Sequence, residues 1–370
     1  MTQKSTHIAI AGYGLLGRLI AWRLLLQGAR ISVFEAASVA NSPAAGASAA
    51  GMIAPLSEAV VSEREIYNLG CFALATWPRW LQDMQTSDGG SLFHHCGSLL
   101  LAHPQDISEL HQFERELRYI LEDGAHYQRL DRSAIQALAP DINPLFDNAL
   151  QLRDEAHIDN RHLLDALHKD IVALGGMVYE QTPVEVAPQT LTTGNGQTYR
   201  ADWVIDCRGI GSKKQQPQLR GVRGETLHIY SKDVHLPCPV RLMHPRYQLY
   251  AVPKPEHQFV IGATQIESED LSPVSLQSSL ELSSALYTLA PGFAEARILK
   301  MDANLRPAFM DNKPQVKVAP GLITANGLFR HGYLLAPAVV DCVLGRINDE
   351  NRQHDHYLLQ QNNVSDGVFL

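Results

Sequence analysis

Three glycines and one acid carry the first chemical information in this chain. Gly12, Gly14 and Gly17 follow the apolar run His7-Ile8-Ala9-Ile10-Ala11, and Glu35 closes the next apolar run, Arg30 to Phe34. The pattern reads as strand, glycine turn, helix, strand, acid. A tight turn needs positive φ at Gly12, a phosphate can approach the backbone at Gly14, and helix can pack on strand at Gly17. The helix that opens at Leu15 and Leu16 would aim its first N–H groups at an anion. Glu35 stands at the spacing where a carboxylate accepts hydrogen bonds from ribose hydroxyls. The expected ligand is a dinucleotide; the motif alone does not separate FAD from NAD.

Composition sets the frame around that motif. With 370 residues, 45% of them hydrophobic, the chain can bury two cores. A net charge of −8 leaves no basic face for nucleic acid or an anionic membrane. The most apolar stretch, Tyr333 to Leu344, contains Asp341 and falls short of the roughly 20 residues that span a bilayer, so a core helix is expected. Met1 to Thr6 holds no long apolar region, and no secretory leader is expected. Five scattered cysteines without C-x-x-C spacing suggest neither a disulfide framework nor zinc, and fit a reducing cytoplasm. His94 and His95, adjacent on a strand, would point to opposite faces, so no metal site is expected.

Along the chain, helical periodicity runs from Ile66 to Asp83 and from Asp106 to Glu122, with the strand-like Gly97 to Leu101 between. Arg161 to Leu174 forms a further helix, ended by Gly175-Gly176. Met177 to Glu180, a hairpin at Gly194-Asn195-Gly196 and the strand Trp203 to Asp206 follow. Alternating strands then appear over Glu225 to Tyr230, Tyr247 to Val252 and Phe259 to Thr264, the mark of an antiparallel sheet. Near the end, Leu322 to Ala325 runs into Asn326 to Gly332 and then the apolar helix. Two glycine turns at opposite ends of the chain suit a cofactor extended across the fold.

Five ordered segments carry a resemblance: Gly46-Ala47-Ser48-Ala49-Ala50-Gly51-Met52; Arg220 to Glu225; Tyr250-Ala251-Val252-Pro253 with Val260 to Thr264; Leu305-Arg306-Pro307 with Asp311 to Pro314; and Phe329 to Pro337. Through them nearly the whole chain resembles the D-amino acid oxidase superfamily of FAD enzymes, most closely its glycine oxidases. The resemblance implies an α/β fold, in which a Rossmann-like FAD-binding domain (1–85, 151–217 and 307–370) is interleaved with an antiparallel-sheet α+β substrate domain (86–150 and 218–306). It implies noncovalent FAD, held by the first glycine turn and by Ala47, Ser48, Ala50, Gly51 and Met52 beneath the flavin. Val184 would meet the adenine and Cys207 and Gly209 would border the cofactor; Cys207 reads as a small buried residue. His331, Gly332, Tyr333 and Leu334 would open the helix facing the flavin.

By the same resemblance, Arg306 and Tyr250 would clamp the substrate carboxylate, with Arg330 beside substrate and flavin; both arginines would also touch the cofactor. A guanidinium fork and a phenol donor suit a carboxylate physically. The competing reading of Arg306 is a structural ion pair, and of Arg330 a surface arginine. The implied reaction is oxidation of a small amino acid, first of all glycine, to its imine and then glyoxylate and ammonia, with oxygen reduced to hydrogen peroxide, in thiamine thiazole synthesis. Sarcosine or D-amino acid oxidases and dehydrogenases, and a non-catalytic nucleotide-binding protein, stay open as alternatives; a homo-oligomer is implied by resemblance alone. Two departures stand out: no cysteine of the covalent-flavin kind lies near Arg306, and polar Gln265 follows Thr264.

Overall fold

The computed structural model describes residues 6–40, 42–121, 126–245 and 249–359. Its central strand, His7–Ala11, sorts side chains by size: Ile8 and Ile10 face a layer of helices, while Ala9 and Ala11 face a small sheet. Period-two alternation in a strand buried on both faces requires two covers. The strand pairs in parallel with Arg30–Phe34 and Trp203–Asp206. Met177–Tyr179 and Leu322–Asn326 extend the parallel sheet, and Gln315–Ala319 adds an antiparallel edge, giving six strands. Helices Leu15–Leu26, Arg64–Leu81, Asn160–Ala173 and Gly332–Ile347 form one cover. The antiparallel strands Val184–Ala187, Thr190–Thr193 and Thr198–Arg200 form the other.

A second sheet has eight strands in the order Arg297–Ala308, Arg220–Tyr230, Gln258–Gly262, Leu249–Lys254, Val240–Met243, Ser98–Ala102, Asn148–Leu152, Tyr127–Asp131. All neighbours are antiparallel except Val240–Met243 beside Ser98–Ala102. Alternation again divides the faces. Leu227, Ile229, Leu249 and Ile261 pack under helix Leu276–Leu289, whereas Leu100 and Leu150 pack under helix Ile107–Leu121. The rest of that second face carries Tyr250, Arg241 and Arg306 toward the first sheet.

This is the expected mixed α/β class. The element ends differ in detail. Strands Asn148–Leu152 and Arg297–Ala308 run through the expected divisions at 150/151 and 306/307, because their ladders with Ser98–Ala102 and Arg220–Tyr230 continue past those points. The strand expected to reach Thr264 ends at Gly262. Glu122 and Tyr247, expected ends of a helix and a strand, lie outside the described residues.

Candidate active site

A cleft of ≈ 2040 Å³ separates the two sheets and is lined by both glycine turns. At its first end Gly12 has φ +97°, and a Cβ there would sit 2.8 Å from the Arg208 Cα. A Cβ on Gly17 would collide with the Gly12 carbonyl oxygen, so this glycine lets helix and strand touch. Gly14 differs: a Cβ would meet only the Ala44 Cβ, at 3.4 Å, leaving the helix start open to the cleft. Helices Leu15–Leu26 and Gly332–Ile347 both begin without a side-chain cap and without an acid in the first turn. Their first N–H groups therefore stay available to an anion. The Glu35 carboxylate is oriented by N–H donors from Tyr13 at 2.7 Å and Ala37 at 3.0 Å.

The small-residue segment is suspended by its carbonyls. Asn160 Nδ2 donates to the Gly46 and Ala47 oxygens, the Tyr333 hydroxyl to the Gly46 oxygen at 2.9 Å, and Lys254 Nζ to the Ala50 oxygen at 2.8 Å. Ala47, Ser48, Ala50, Gly51 and Met52 thereby border the cleft with little side-chain bulk. At the adenosine end, Arg208 grips Asp206 with Nε and Nη2 and donates Nη1 to the Val184 carbonyl at 2.9 Å. Val184 accordingly presents its backbone with that carbonyl already engaged. Burial pushes the Cys207 thiol strongly up, and its Sγ contacts the Ala11 and Gly12 carbonyls.

On the eight-stranded sheet, two more glycines make room for the clamp. A Cβ on Gly224 would collide with the Arg306 guanidinium, and one on Gly262 would lie 2.8 Å from the Tyr250 hydroxyl. Both side chains therefore lie over bare backbone and border the cleft. Arg306 Nη1 donates to the carbonyls of Thr264 at 3.0 Å and Arg223 at 3.3 Å, and no described residue gives it a carboxylate. Burial, with the nearby Arg330 charge, lowers its pKa. The Tyr250 hydroxyl has no protein partner among the described residues, and burial raises its pKa despite three arginines around it. Arg330 is half-buried at the cleft and is not free: Nη2 donates to Glu58 Oε2 at 2.6 Å.

Glu58 organises that corner. Burial alone would raise its carboxyl, yet His331, Arg330 and Arg241 hold it far below the usual carboxylate range. His331 Nε2 lies 2.9 Å from Glu58 Oε2, which fixes the residue before helix Gly332–Ile347. Neither Glu58 nor Arg241 is identifiable from a motif. Their signal is weaker: one acid in the apolar helix Pro55–Val61 and one arginine in the apolar strand Val240–Met243.

Of the residues named from sequence, Gly12, Gly14, Leu15, Leu16, Glu35, Ala47, Ser48, Ala50, Gly51, Met52, Val184, Cys207, Gly209, Tyr250, Arg306, Arg330, Gly332 and Tyr333 line the one cleft. Three stand behind it. Gly17 packs on the first strand, Leu334 is core against Gly70, and His331 spends its N–H on the Leu328 carbonyl and its ring on Glu58.

A glycine-turn parallel layer facing a charged, mostly antiparallel sheet across one cleft is the architecture of a flavoprotein. The chain belongs to the FAD dependent oxidoreductase family, whose pattern matches residues 7–343. It is 37% identical over 349 residues, 94% of this chain and 98% of the relative, to a protein named as the thiamine biosynthesis oxidoreductase ThiO of Rhizobium etli. The glycine oxidase of Bacillus licheniformis is 25% identical, covering 93% of this chain and 94% of its own. The crystal structure of glycine oxidase from Geobacillus kaustophilus superposes with a TM-score of 0.82 at 22% identity, over 97% of this chain and all of that one. The cofactor is FAD, and the uncapped helix starts, the open face of Gly14 and the low-bulk 46–52 segment fit it.

Proposed function

We propose that this oxidoreductase oxidises a small amino acid, glycine first of all, to its imine, which hydrolyses to glyoxylate and ammonia or feeds thiazole assembly for thiamine. The observation that carries this reading is Arg306: a recessed guanidinium in the cleft that has no carboxylate partner among the described residues, beside the Tyr250 phenol, which likewise has none among them. Such a pair is complementary to one carboxylate, through the guanidinium N–H groups and one further donor. The names of the relatives support the same substrate class.

Bound without a covalent link, the flavin supplies a two-electron acceptor for hydride from the substrate Cα, with oxygen as final oxidant and peroxide as product. The protein's part is orientation. Arg306 and Tyr250 fix the carboxylate and so the Cα, and holding the reacting atom in place is worth several orders of magnitude in rate. Tyr250 stays a donor into alkaline solution because its pKa is raised. Arg330, pinned by Glu58, adds fixed positive charge, and the uncapped start of helix Gly332–Ile347 would offer N–H dipoles that favour negative charge on a reduced cofactor. A substrate bound as free amine needs no general base, and none is assigned. The division into an FAD domain and a substrate domain follows the two sheets. We place the reaction in a reducing cytoplasm, where five free cysteines are stable.

The test is oxygen uptake and peroxide release with glycine, sarcosine and D-alanine. Uptake with glycine supports the reading; flavin reduction without uptake would shift it to a dehydrogenase, and neither with any of the three would remove it.

A further inference from the structure

Tyr250 has a second arginine neighbour with no function yet. Arg241 is its direct cross-strand partner, so the two side chains stand on the same open face of the sheet. The Arg241 side chain is 9% exposed, lines the cleft, and its Nε has no hydrogen-bond partner. Its guanidinium lies 3.8 Å from Glu58 Oε1, while the other Glu58 oxygen is engaged by Arg330 and His331 at 2.6 and 2.9 Å. Otherwise, among the described residues, Nη2 reaches only the Met52 Sδ, at 4.0 Å.

Arginines that serve as structural partners look different in this same molecule. Arg208 gives Nε and Nη2 to the two oxygens of Asp206, and Arg223 gives Nε and Nη2 to Glu225, all within 3.0 Å. A second acid near Arg241, Glu155, has its oxygens taken by the Ser57 N–H and the Ser98 hydroxyl; burial raises its pKa, and the Arg241 charge offsets part of that rise without a hydrogen bond between them. Three guanidiniums, those of Arg306, Arg241 and Arg330, surround the Tyr250 phenol. Glu58 engages Arg330 closely, and one substrate carboxylate would engage Arg306. Arg241 keeps only the loose 3.8 Å ion pair with Glu58, and its buried Nε donor has no hydrogen bond, a costly state for a charged group.

We propose that Arg241 is a second anion position in the cleft, so that the site takes small amines bearing two carboxylates, one on Arg306 and Tyr250 and the other on Arg241. The inference rests on the carboxylate clamp proposed above and extends it. The second acid can sit on the amine nitrogen, as an N-carboxymethyl group, or on Cα, as a short acidic side chain; the shared chemistry is an amine with two carboxylates.

Binding of acetate and malonate to the FAD-loaded enzyme, read from shifts of the flavin bands, tests this without turnover. Malonate is expected to bind at least about tenfold tighter than acetate, equivalent to about 1.4 kcal/mol. Arg241→Met is expected to erase that advantage and Arg241→Lys to restore part of it. Equal binding of the two acids, or an equal loss for both in Arg241→Met, overturns the proposal. Acetate failing to bind would remove the clamp itself and this inference with it, whereas malonate binding no tighter than acetate removes this inference alone. Anaerobic bleaching by N-carboxymethylglycine or by D-aspartate then assigns the second carboxylate to nitrogen or to Cα; bleaching by glycine and by neither of these contradicts the proposal.

Discussion

Arg208 and Arg306 stand at opposite ends of one cleft, and the chain treats them differently. Arg208 is finished by the protein: Asp206 takes two of its nitrogens and the Val184 carbonyl a third. Arg306 receives two backbone carbonyls and, among the described residues, no carboxylate. The dinucleotide end is accordingly built from backbone, glycines and completed ion pairs, which leave helix N–H groups as the available donors. The sheet end keeps the Arg306 guanidinium, for which we propose a carboxylate partner from solution. The contrast distinguishes an arginine completed by the fold from one left open toward the cleft, and burial alone would not have made that distinction.

The comparison is broken most severely at Gly17. Gly17→Val places side-chain atoms where the Gly12 carbonyl lies, and the purified variant is expected to lose its flavin absorbance entirely or to fail to fold. Arg306→Ala should leave that absorbance intact and raise KM by the equivalent of about 2–5 kcal/mol, since a carboxylate loses its charged partner; an unchanged KM would return Arg306 to a structural role. Glu58→Gln removes the acid among Arg330, His331 and Arg241, and denaturation at neutral pH should show a loss of about 3 kcal/mol. Because the folded pKa of Glu58 is depressed, its stabilisation is present above its ordinary pKa near 4.5 and fades as pH falls below it. The gap between wild type and Glu58→Gln must therefore narrow in acid. The smallest effect belongs to Tyr250→Phe, which removes one donor to a carboxylate and should raise KM on the order of tenfold, about 1.5 kcal/mol, with the spectrum unaltered.

The same contrast explains what could be seen in the sequence. Gly12, Gly14, Gly17 and Glu35 act through backbone geometry at fixed local spacing, so their arrangement is written along some twenty-five residues. The alternation that builds both sheets is local as well, and it marks five of the six strands of the first sheet but four of the eight of the second, where Tyr127–Asp131, Asn148–Leu152, Val240–Met243 and Arg297–Ala308 become strands through their partners. Strand ends are less accessible, because the ladders at Leu152 and Ala308 are decided by partners distant in the chain. Arg306 and Tyr250 are legible only through resemblance, since an arginine before a proline reads by itself as an ion pair and only the family match reverses that. Glu58 and Arg241 show the remaining limit. They meet only in the folded chain, where Glu58 on helix Pro55–Val61 and Arg241 on strand Val240–Met243 come within 3.8 Å, a contact between positions more than 180 apart that no spacing rule encodes. The room made by Gly224 and Gly262 is likewise visible only once the strands are paired.

The central claim is that an FAD enzyme holds a small amino acid by its carboxylate on Arg306. The measurement that meets it most directly is the visible spectrum of the wild type and of Arg306→Ala under anaerobic conditions, before and after the same concentration of glycine. The account predicts flavin bands in both proteins, bleaching in the wild type, and bands that persist in the variant at that concentration. Bleaching to the same extent in both, or bands in the wild type that persist with glycine, sarcosine and D-alanine alike, would contradict it.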